Sequence, residues 1–150
     1  MRLLAPIDDR DPSWFALRLA LWPEASKSAH LEQMKVAAAR GMYVRVATAN
    51  EGFAIGLVEA SKREEARGGA NNGTVVYFEG LYVSRKVTRL TVTRRLVDAV
   101  ASWAAAEGCA QPAFDSQFEP DAAQMLHREL GFQETASGTY SRKAAIENTF

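Results

Sequence analysis

Two carboxylates stand where an acid or base could act on a bound ligand. Glu79 lies late in the apolar run of residues 75–83, and Asp115 follows the short apolar run of residues 111–114. An interior carboxylate is costly without a partner, and the ends of parallel strands at a βαβ crevice are where ligands bind. A carboxylate there can anchor an ammonium and accept its proton. A structural salt bridge for Glu79 and a turn cap for Asp115 are the alternatives.

A basic segment follows the strand of Glu79 and leads into a predicted helix. Its cationic residues are Arg85, Lys86, Arg89, Arg94 and Arg95. The first amides of a helix and its positive dipole end bind phosphate, and nearby arginines add charge. The segment therefore predicts either a phosphate site or a solvated basic face without a ligand.

The rest of the chain predicts the elements that hold these residues. Apolar periodicity and turn residues indicate strands over 3–6, 43–49, 53–61, 75–83, 111–114, 132–135 and 139–142, and helices over 11–22, 28–40, 91–107 and 121–130. An antiparallel meander joined to a βαβ crossover predicts an α/β (α+β) fold. We expect a mixed central sheet of about six to seven strands with helices on both faces. The crossover makes the strands of Glu79 and Asp115 parallel neighbours.

Composition limits the class of protein. We predict one domain over residues 1–150, and the hydrophobic fraction of 47% is typical of globular chains. The formal net charge of +0 argues against nucleic acid or a membrane surface as a partner. Cys109 is the single cysteine, which excludes an intrachain disulfide and favours the cytoplasm. No cluster has metal-ligand spacing, so we expect no metal.

Several short motifs accompany this element order. They are Leu21-Trp22-Pro23, Ala54-Ile55-Gly56, Phe78-Glu79-Gly80, Asp115 and Leu130-Gly131-Phe132. Together they resemble the GCN5-related N-acetyltransferase (GNAT) superfamily and, within it, the bacterial aminoglycoside 6′-N-acetyltransferases. The resemblance implies the GNAT fold and transfer of acetyl from acetyl-CoA (coenzyme A) to a polycationic aminoglycoside, which confers antibiotic resistance. It also implies a homodimer, with the sheet edge near residues 139–142 as the expected contact.

The resemblance also implies roles for individual side chains. It places Glu79, Asp115 and Glu134 in an acidic pocket for the substrate, with Trp22 against a sugar ring. Asp115 would accept a proton, Glu79 would hold the amine, and Tyr140 matches a tyrosine that often protonates the leaving thiolate. Core packing for Trp22 and an ordinary strand position for Tyr140 are the alternatives.

The coenzyme A site is implied at the end of the central strand and the start of the next helix. Its residues are Leu81, Tyr82, Val83, Arg89, Leu90, Thr91, Val92, Thr93 and Arg94. Amides of residues 81–83 would stabilise the oxyanion. The family's phosphate turn has small residues where this chain has Thr91 and Thr93, so we expect weakened coenzyme A binding. The family's aromatic loop over the substrate is also changed at residues 64–68.

Three functions follow from these observations. The first is an aminoglycoside 6′-N-acetyltransferase that uses all of these residues. The second is a binding protein that keeps the acidic pocket but acetylates weakly or not at all. The third is an N-acetyltransferase for another polyamine, because the changed loop gains Glu64 and Glu65.

Overall fold

The computed structural model of the chain describes residues 1–64, 73–85 and 87–142. Its elements are β1 (Arg2–Leu4), α1 (Pro12–Leu21), α2 (Lys27–Ala39), β2 (Tyr43–Thr48), β3 (Ala54–Glu64), β4 (Thr74–Val83), α3 (Arg89–Ala106), β5 (Ala113–Phe114), α4 (Pro120–Glu129), β6 (Gln133–Glu134) and β7 (Tyr140–Ser141). This order and the α/β class confirm the prediction. Lys86 and residues 65–68 of the predicted substrate loop lie outside the described residues. Among the described helices, none has the length and hydrophobicity to span a bilayer.

The described strands form one seven-stranded sheet in the order β1-β2-β3-β4-β5-β7-β6. β4 and β5 are parallel neighbours through Tyr77 and Ala113, as the crossover predicts. The prediction that residues 139–142 form a sheet edge is wrong. Tyr140 of β7 pairs with Phe114 on one side and with Glu134 on the other, so β7 is internal and β6 is the edge.

Each face of the sheet is covered by a different pair of helices. α3 and α4 pack on the face that carries Phe78 and Phe114, whereas α1 and α2 pack on the other face through Trp14 and Met34. Successive strand side chains point to opposite faces. Glu79 therefore points away from the core of Phe78 and lines a cavity under α1 and α2.

A buried charged pair joins α1 to the centre of the sheet. Arg18 Nη1 lies 2.7 and 2.5 Å from the two carboxylate oxygens of Glu59, and the two side chains are only 4% and 3% exposed. The Trp14 indole N–H donates to the same carboxylate at 2.7 Å. The pair was not predicted, although a lone Glu59 in the apolar run 54–60 is a sequence signal for it.

The same network fixes the end of α1. Arg18 Nε donates to His30 Nδ1 at 3.3 Å, and His30 Nε2 lies 3.0 Å from the Trp22 carbonyl oxygen. Because an arginine can only donate, Nδ1 must accept and Nε2 must carry the ring proton. His30 therefore ties the backbone of Trp22 to α2.

Candidate functional site

Glu79 and Asp115 share one cation, the guanidinium of Arg63. Arg63 Nη2 is 3.0 Å from both oxygens of Glu79, and Nη1 donates to Asp115 Oδ2 at 3.0 Å. The guanidinium carbon lies 4.2 Å from the centre of the Tyr77 ring, and the Ser61 hydroxyl donates to Glu79. We call Arg63, Glu79 and Asp115 the Arg63 clamp. It supplies the partner that an interior carboxylate requires.

The strand register brings the clamp together. Ser61 pairs with Tyr77 and Arg63 with Val75 across β3 and β4, so alternation places Arg63 on the face of Glu79. Tyr77 pairs with Ala113 between the parallel strands. Glu79 is two residues beyond Tyr77, and Asp115 is two residues beyond Ala113. The two carboxylates therefore lie side by side at the ends of adjacent strands.

The charge of Arg63 is reinforced by its neighbours. Burial lowers the pKa of the Arg63 guanidinium, but the hydrogen bond to Asp115 and the charge of Glu79 outweigh it and raise the pKa. Arg63 is therefore a permanent cation. The sequence pattern does not mark Arg63 as a site residue, because its contacts with the two carboxylates depend on the strand register.

The clamp borders a cavity of about 590 Å³ between α1, α2 and the sheet, which we call the α2 cavity. Its lining includes Trp22, Glu32, Gln33, Met42, Arg63 and Glu79. The predicted substrate residues Trp22 and Glu79 therefore line the same cavity. Asp115 does not line it, but it contacts Arg63, which does. An indole beside carboxylates suits a cationic ligand with a ring face.

A second cavity of about 270 Å³ lies where β4, α3 and α4 meet, and we call it the α3 cavity. Of the predicted coenzyme A residues, it is lined by Leu81, Tyr82, Val83, Arg89 and Thr93. The others do not line it: Thr91 and Arg94 are exposed, Leu90 is half-buried, and Val92 is buried. Two acidic residues at the start of α4 border the same space: the cap residue Glu119 and Asp121 in the first turn.

The α3 cavity carries donors suited to an anion. Arg89 Nε is buried and has no hydrogen-bond partner among the described residues, while Nη2 of Arg89 contacts Asp121 at 2.9 Å. Thr88 precedes α3 and makes no side-chain cap to its first amides. Unpaired donors at a helix start favour a phosphate group. The residues present therefore fit the pyrophosphate of coenzyme A.

The sequence matches a known protein family over most of its length. The profile of the acetyltransferase (GNAT) family matches residues 6–132. The chain belongs to this family. It is 34% identical over 146 residues to an aminoglycoside N(6′)-acetyltransferase type 1 of Klebsiella aerogenes, covering 94% of this chain and 95% of that protein. It is 33% identical over 133 residues to the enzyme of the same name from Salmonella typhimurium, covering 87% and 90%.

Solved GNAT structures share the fold. The chain is similar to the apo crystal structure of the aminoglycoside 6′-N-acetyltransferase AAC(6′)-IG from Acinetobacter haemolyticus, with a TM-score of 0.78, 29% identity and coverage of 97% and 99%. It is also similar to AAC(6′)-Iy in complex with a bisubstrate analogue, CoA-S-monomethyl-acetylneamine, with a TM-score of 0.71, 32% identity and coverage of 89% and 90%. The predicted GNAT fold is thereby confirmed.

Thr91 and Thr93 take ordinary helical backbone in this GNAT chain. α3 begins at Arg89, earlier than predicted, and no described residue other than glycine has a positive φ. Neither threonine therefore needs the conformational freedom of glycine. The remaining difference is side-chain volume, and it matters at Thr93, which is 1% exposed and lines the α3 cavity.

Glu134 and Tyr140 do not join the clamp within one chain. Tyr140 stacks on Phe114 with ring centroids 5.0 Å apart, on the face opposite Asp115. Glu134 is exposed on β6, three strands from β4 and thus about 14 Å away at the usual strand spacing. The resemblance predicts Glu134 beside Glu79, but the pairing of β7 with β5 separates them.

The Trp22 ring packs directly against the backbone of Gly80. A Cβ atom at position 80 would lie 2.6 Å from Cη2 and 3.0 Å from Cζ2 of Trp22. The Arg18 guanidinium carbon lies 4.6 Å from the centre of the Trp22 ring. Position 80 therefore has no room for a side chain while the Trp22 ring keeps its place.

We expect Gly80→Ala to displace the Trp22 ring, since the new methyl overlaps it. Overpacking of this kind costs about 1–3 kcal/mol, and urea unfolding measures it. The control is the double variant Gly80→Ala with Trp22→Ala, which removes the two closest contacts of the methyl and leaves Leu21 Cδ2, at 3.1 Å, as the next closest. If Gly80→Ala also destabilises the Trp22→Ala background by the same amount, the ring is not the cause.

Proposed function

We propose that this GNAT-family protein is an acetyl-CoA-dependent aminoglycoside 6′-N-acetyltransferase. The observation that carries the proposal is the convergence of Glu79 and Asp115, from parallel strands, on one cationic group. Relatives of that name match almost the whole chain. An acidic site that already holds a cation beside Trp22 suits an aminoglycoside amine.

The acceptor amine must be placed and deprotonated before it can attack a thioester. Glu79 is proposed to anchor the ammonium, and Trp22 to pack on the sugar ring that carries it. Asp115 accepts one proton, which leaves a neutral nitrogen with a free electron pair. Holding the amine in this geometry lowers the barrier further, because it removes the entropy cost of a bimolecular encounter.

The α3 cavity is proposed to bind acetyl-CoA, which supplies the acetyl group and a thiolate leaving group. AAC(6′)-Iy has been solved with CoA and with a CoA–acetylneamine analogue. In this chain the start of α3 and Arg89 would hold the pyrophosphate. Backbone amides of residues 81–83 would stabilise negative charge as it develops on the carbonyl oxygen. Attack by the neutral amine would form the carbon–nitrogen bond and the oxyanion. Collapse of this intermediate would break the carbon–sulfur bond, and the second proton lost from the nitrogen would neutralise the departing thiolate.

Thr93→Ala is expected to tighten acetyl-CoA binding. The Thr93 side chain is buried at the wall of the α3 cavity, and its removal lets phosphate approach the helix amides. One regained charge-assisted hydrogen bond lowers the Kd about tenfold, which calorimetry measures. Thr91→Ala is the control, because Thr91 is exposed and does not line the cavity. A higher Kd for acetyl-CoA in Thr93→Ala would mean that the Thr93 hydroxyl itself binds the phosphate.

A binding protein without transfer activity is the second candidate. The buried Thr93 side chain favours it, since the acidic clamp is intact while a threonine lies at the wall of the proposed phosphate site. Such a protein would bind a polyamine and leave it unmodified. An acetyltransferase for another polyamine would share the clamp but differ in preferred acceptor.

Release of free thiol from acetyl-CoA, in the presence of an aminoglycoside such as neamine, tests the proposal. We expect release that depends on both the protein and neamine. Calorimetry separates the alternatives. Binding of neamine without binding of acetyl-CoA would favour the second candidate, and binding of acetyl-CoA with turnover only of other polyamines would favour a changed acceptor.

We also propose a cytoplasmic homodimer that has no nucleic-acid partner. The formal charge of +0 supports the last point. The β6 edge, with its short strand Gln133–Glu134, offers a second copy backbone groups that pair with no described strand on that side. Light scattering on the purified protein distinguishes a dimer from a monomer.

A further inference from the structure

We propose that Arg63 is a tethered competitor of the acceptor: its guanidinium holds the two carboxylates until a cationic substrate displaces it. This inference rests on the proposed function. Arg63 would then set the affinity for acceptors without taking part in the chemical step.

The contacts of Arg63 fill the places where an acceptor cation is expected. Its guanidinium contacts both oxygens of Glu79 and one oxygen of Asp115, each at 3.0 Å. Arginine forms such forked pairs with carboxylates because its donors lie in one plane. An ammonium cannot be anchored by Glu79 and lose its proton to Asp115 while Arg63 occupies both. The proposed reaction therefore requires that Arg63 leave the clamp.

The clamp is open enough for this exchange. The side chains of Arg63, Glu79 and Asp115 are 39%, 28% and 30% exposed. The Arg18–Glu59 pair on the same face is only 4% and 3% exposed, although both residues border the α2 cavity. Water-accessible ion pairs contribute little to stability, so Arg63 can be exchanged for another cation, whereas Arg18 is a permanent part of the core.

Charge also favours exchange by a polycation. The clamp has two carboxylates and one guanidinium, so it retains an excess negative charge with Arg63 in place. An acceptor with two or more ammonium groups replaces the lost guanidinium contacts on both carboxylates. In the exchange, one set of ion pairs is lost and an equivalent set is formed, which keeps the displacement close to balanced.

Arg63→Ala is expected to lower the KM for neamine and leave kcat within about twofold. If Arg63 occupies the clamp about nine-tenths of the time, the apparent affinity falls tenfold, and the variant recovers that factor. Free guanidinium at millimolar concentration should then compete with neamine in Arg63→Ala and restore the higher KM. It should not compete in the wild-type protein, where the clamp is already filled.

The matched control is Lys62→Gln. Lys62 is the neighbouring cation on β3, but it points to the opposite face and pairs with Glu107 at 2.7 Å. The Lys62→Gln substitution removes one positive charge from the same strand without touching the clamp, so the KM of this variant should equal that of the wild type. Arg63→Lys keeps a charge without the fork, and we expect an intermediate KM. This second variant remains informative if Arg63→Ala does not fold.

The outcomes separate this inference from the proposed function. A higher KM, or a kcat lowered more than tenfold in Arg63→Ala, would show that Arg63 positions the carboxylates and would overturn the inference alone. If the wild type does not turn over neamine, the proposed function fails. Calorimetry then decides the inference: tighter neamine binding by Arg63→Ala supports it, and equal, weaker or undetectable binding overturns it.

Discussion

The Asp115→Asn variant is expected to lose about 10²- to 10⁴-fold in kcat at saturating acceptor, the usual contribution of a general base. Asparagine keeps the size of the side chain and a carbonyl oxygen, so it can still face Arg63. It cannot accept the proton of an ammonium group. The amine therefore stays charged and has no free electron pair for the thioester. Thiol release at several acceptor concentrations measures kcat and KM separately.

The control for this variant is Asp98→Asn. Asp98 is exposed on α3 and pairs with Arg142 at 2.8 Å, on the face of the sheet opposite the clamp. The same chemical change there should leave kcat at the wild-type value. A kcat for Asp115→Asn within about threefold of the wild type would remove Asp115 from the proton transfer, since that is below the effect of a positioned base.

The Glu59→Gln variant is expected to lose about 3–5 kcal/mol of unfolding free energy, the cost of breaking a buried ion pair from one side. Arg18 would keep its charge in a site that is 4% exposed, with a neutral amide as its partner. The Trp14 indole would also lose a charged acceptor. Urea unfolding followed by circular dichroism measures the loss as a lower midpoint.

An exposed ion pair supplies the comparison. Glu107→Gln removes the partner of Lys62 at the protein surface, where both side chains are well exposed. We expect its unfolding midpoint to match the wild type, because solvent screens such pairs. Equal midpoints for Glu59→Gln and the wild type would mean that the buried pair does not stabilise the fold.

The order of the elements could be predicted because local signals mark them. Asp11 caps α1 and Ser26 caps α2, and both residues are of the types that favour helix starts. The crossover through α3 then requires β4 and β5 to be parallel neighbours. The position of β7 could not be predicted. β5, β6 and β7 have two described residues each, so their pairing depends on tertiary packing.

The two carboxylates of the site could be predicted and their cation could not. Glu79 and Asp115 are conspicuous because each interrupts or ends an apolar run. The contact with Arg63 depends on how β3 and β4 align, and that register shifts between Glu59 and Ala60. A shift of this kind changes which side chains meet across strands and leaves no local pattern in the sequence.

The phosphate turn shows a different limit. Sequence comparison by position treats Thr91 and Thr93 alike, as larger residues in place of small ones. In the structure they differ, since Thr91 is exposed and Thr93 is buried at the cavity wall. Helical rotation decides which of them faces the α3 cavity, and the predicted helix start at Thr91 is too late to show it.

Thiol release with two matched acceptors tests the central claim most directly. Neamine carries an amine at the 6′ position, and paromamine carries a hydroxyl there and is otherwise the same molecule. The account predicts release from acetyl-CoA with neamine and none above background with paromamine. Equal release with both acceptors would show that another amine is acetylated, and release with neither would contradict the proposed enzyme.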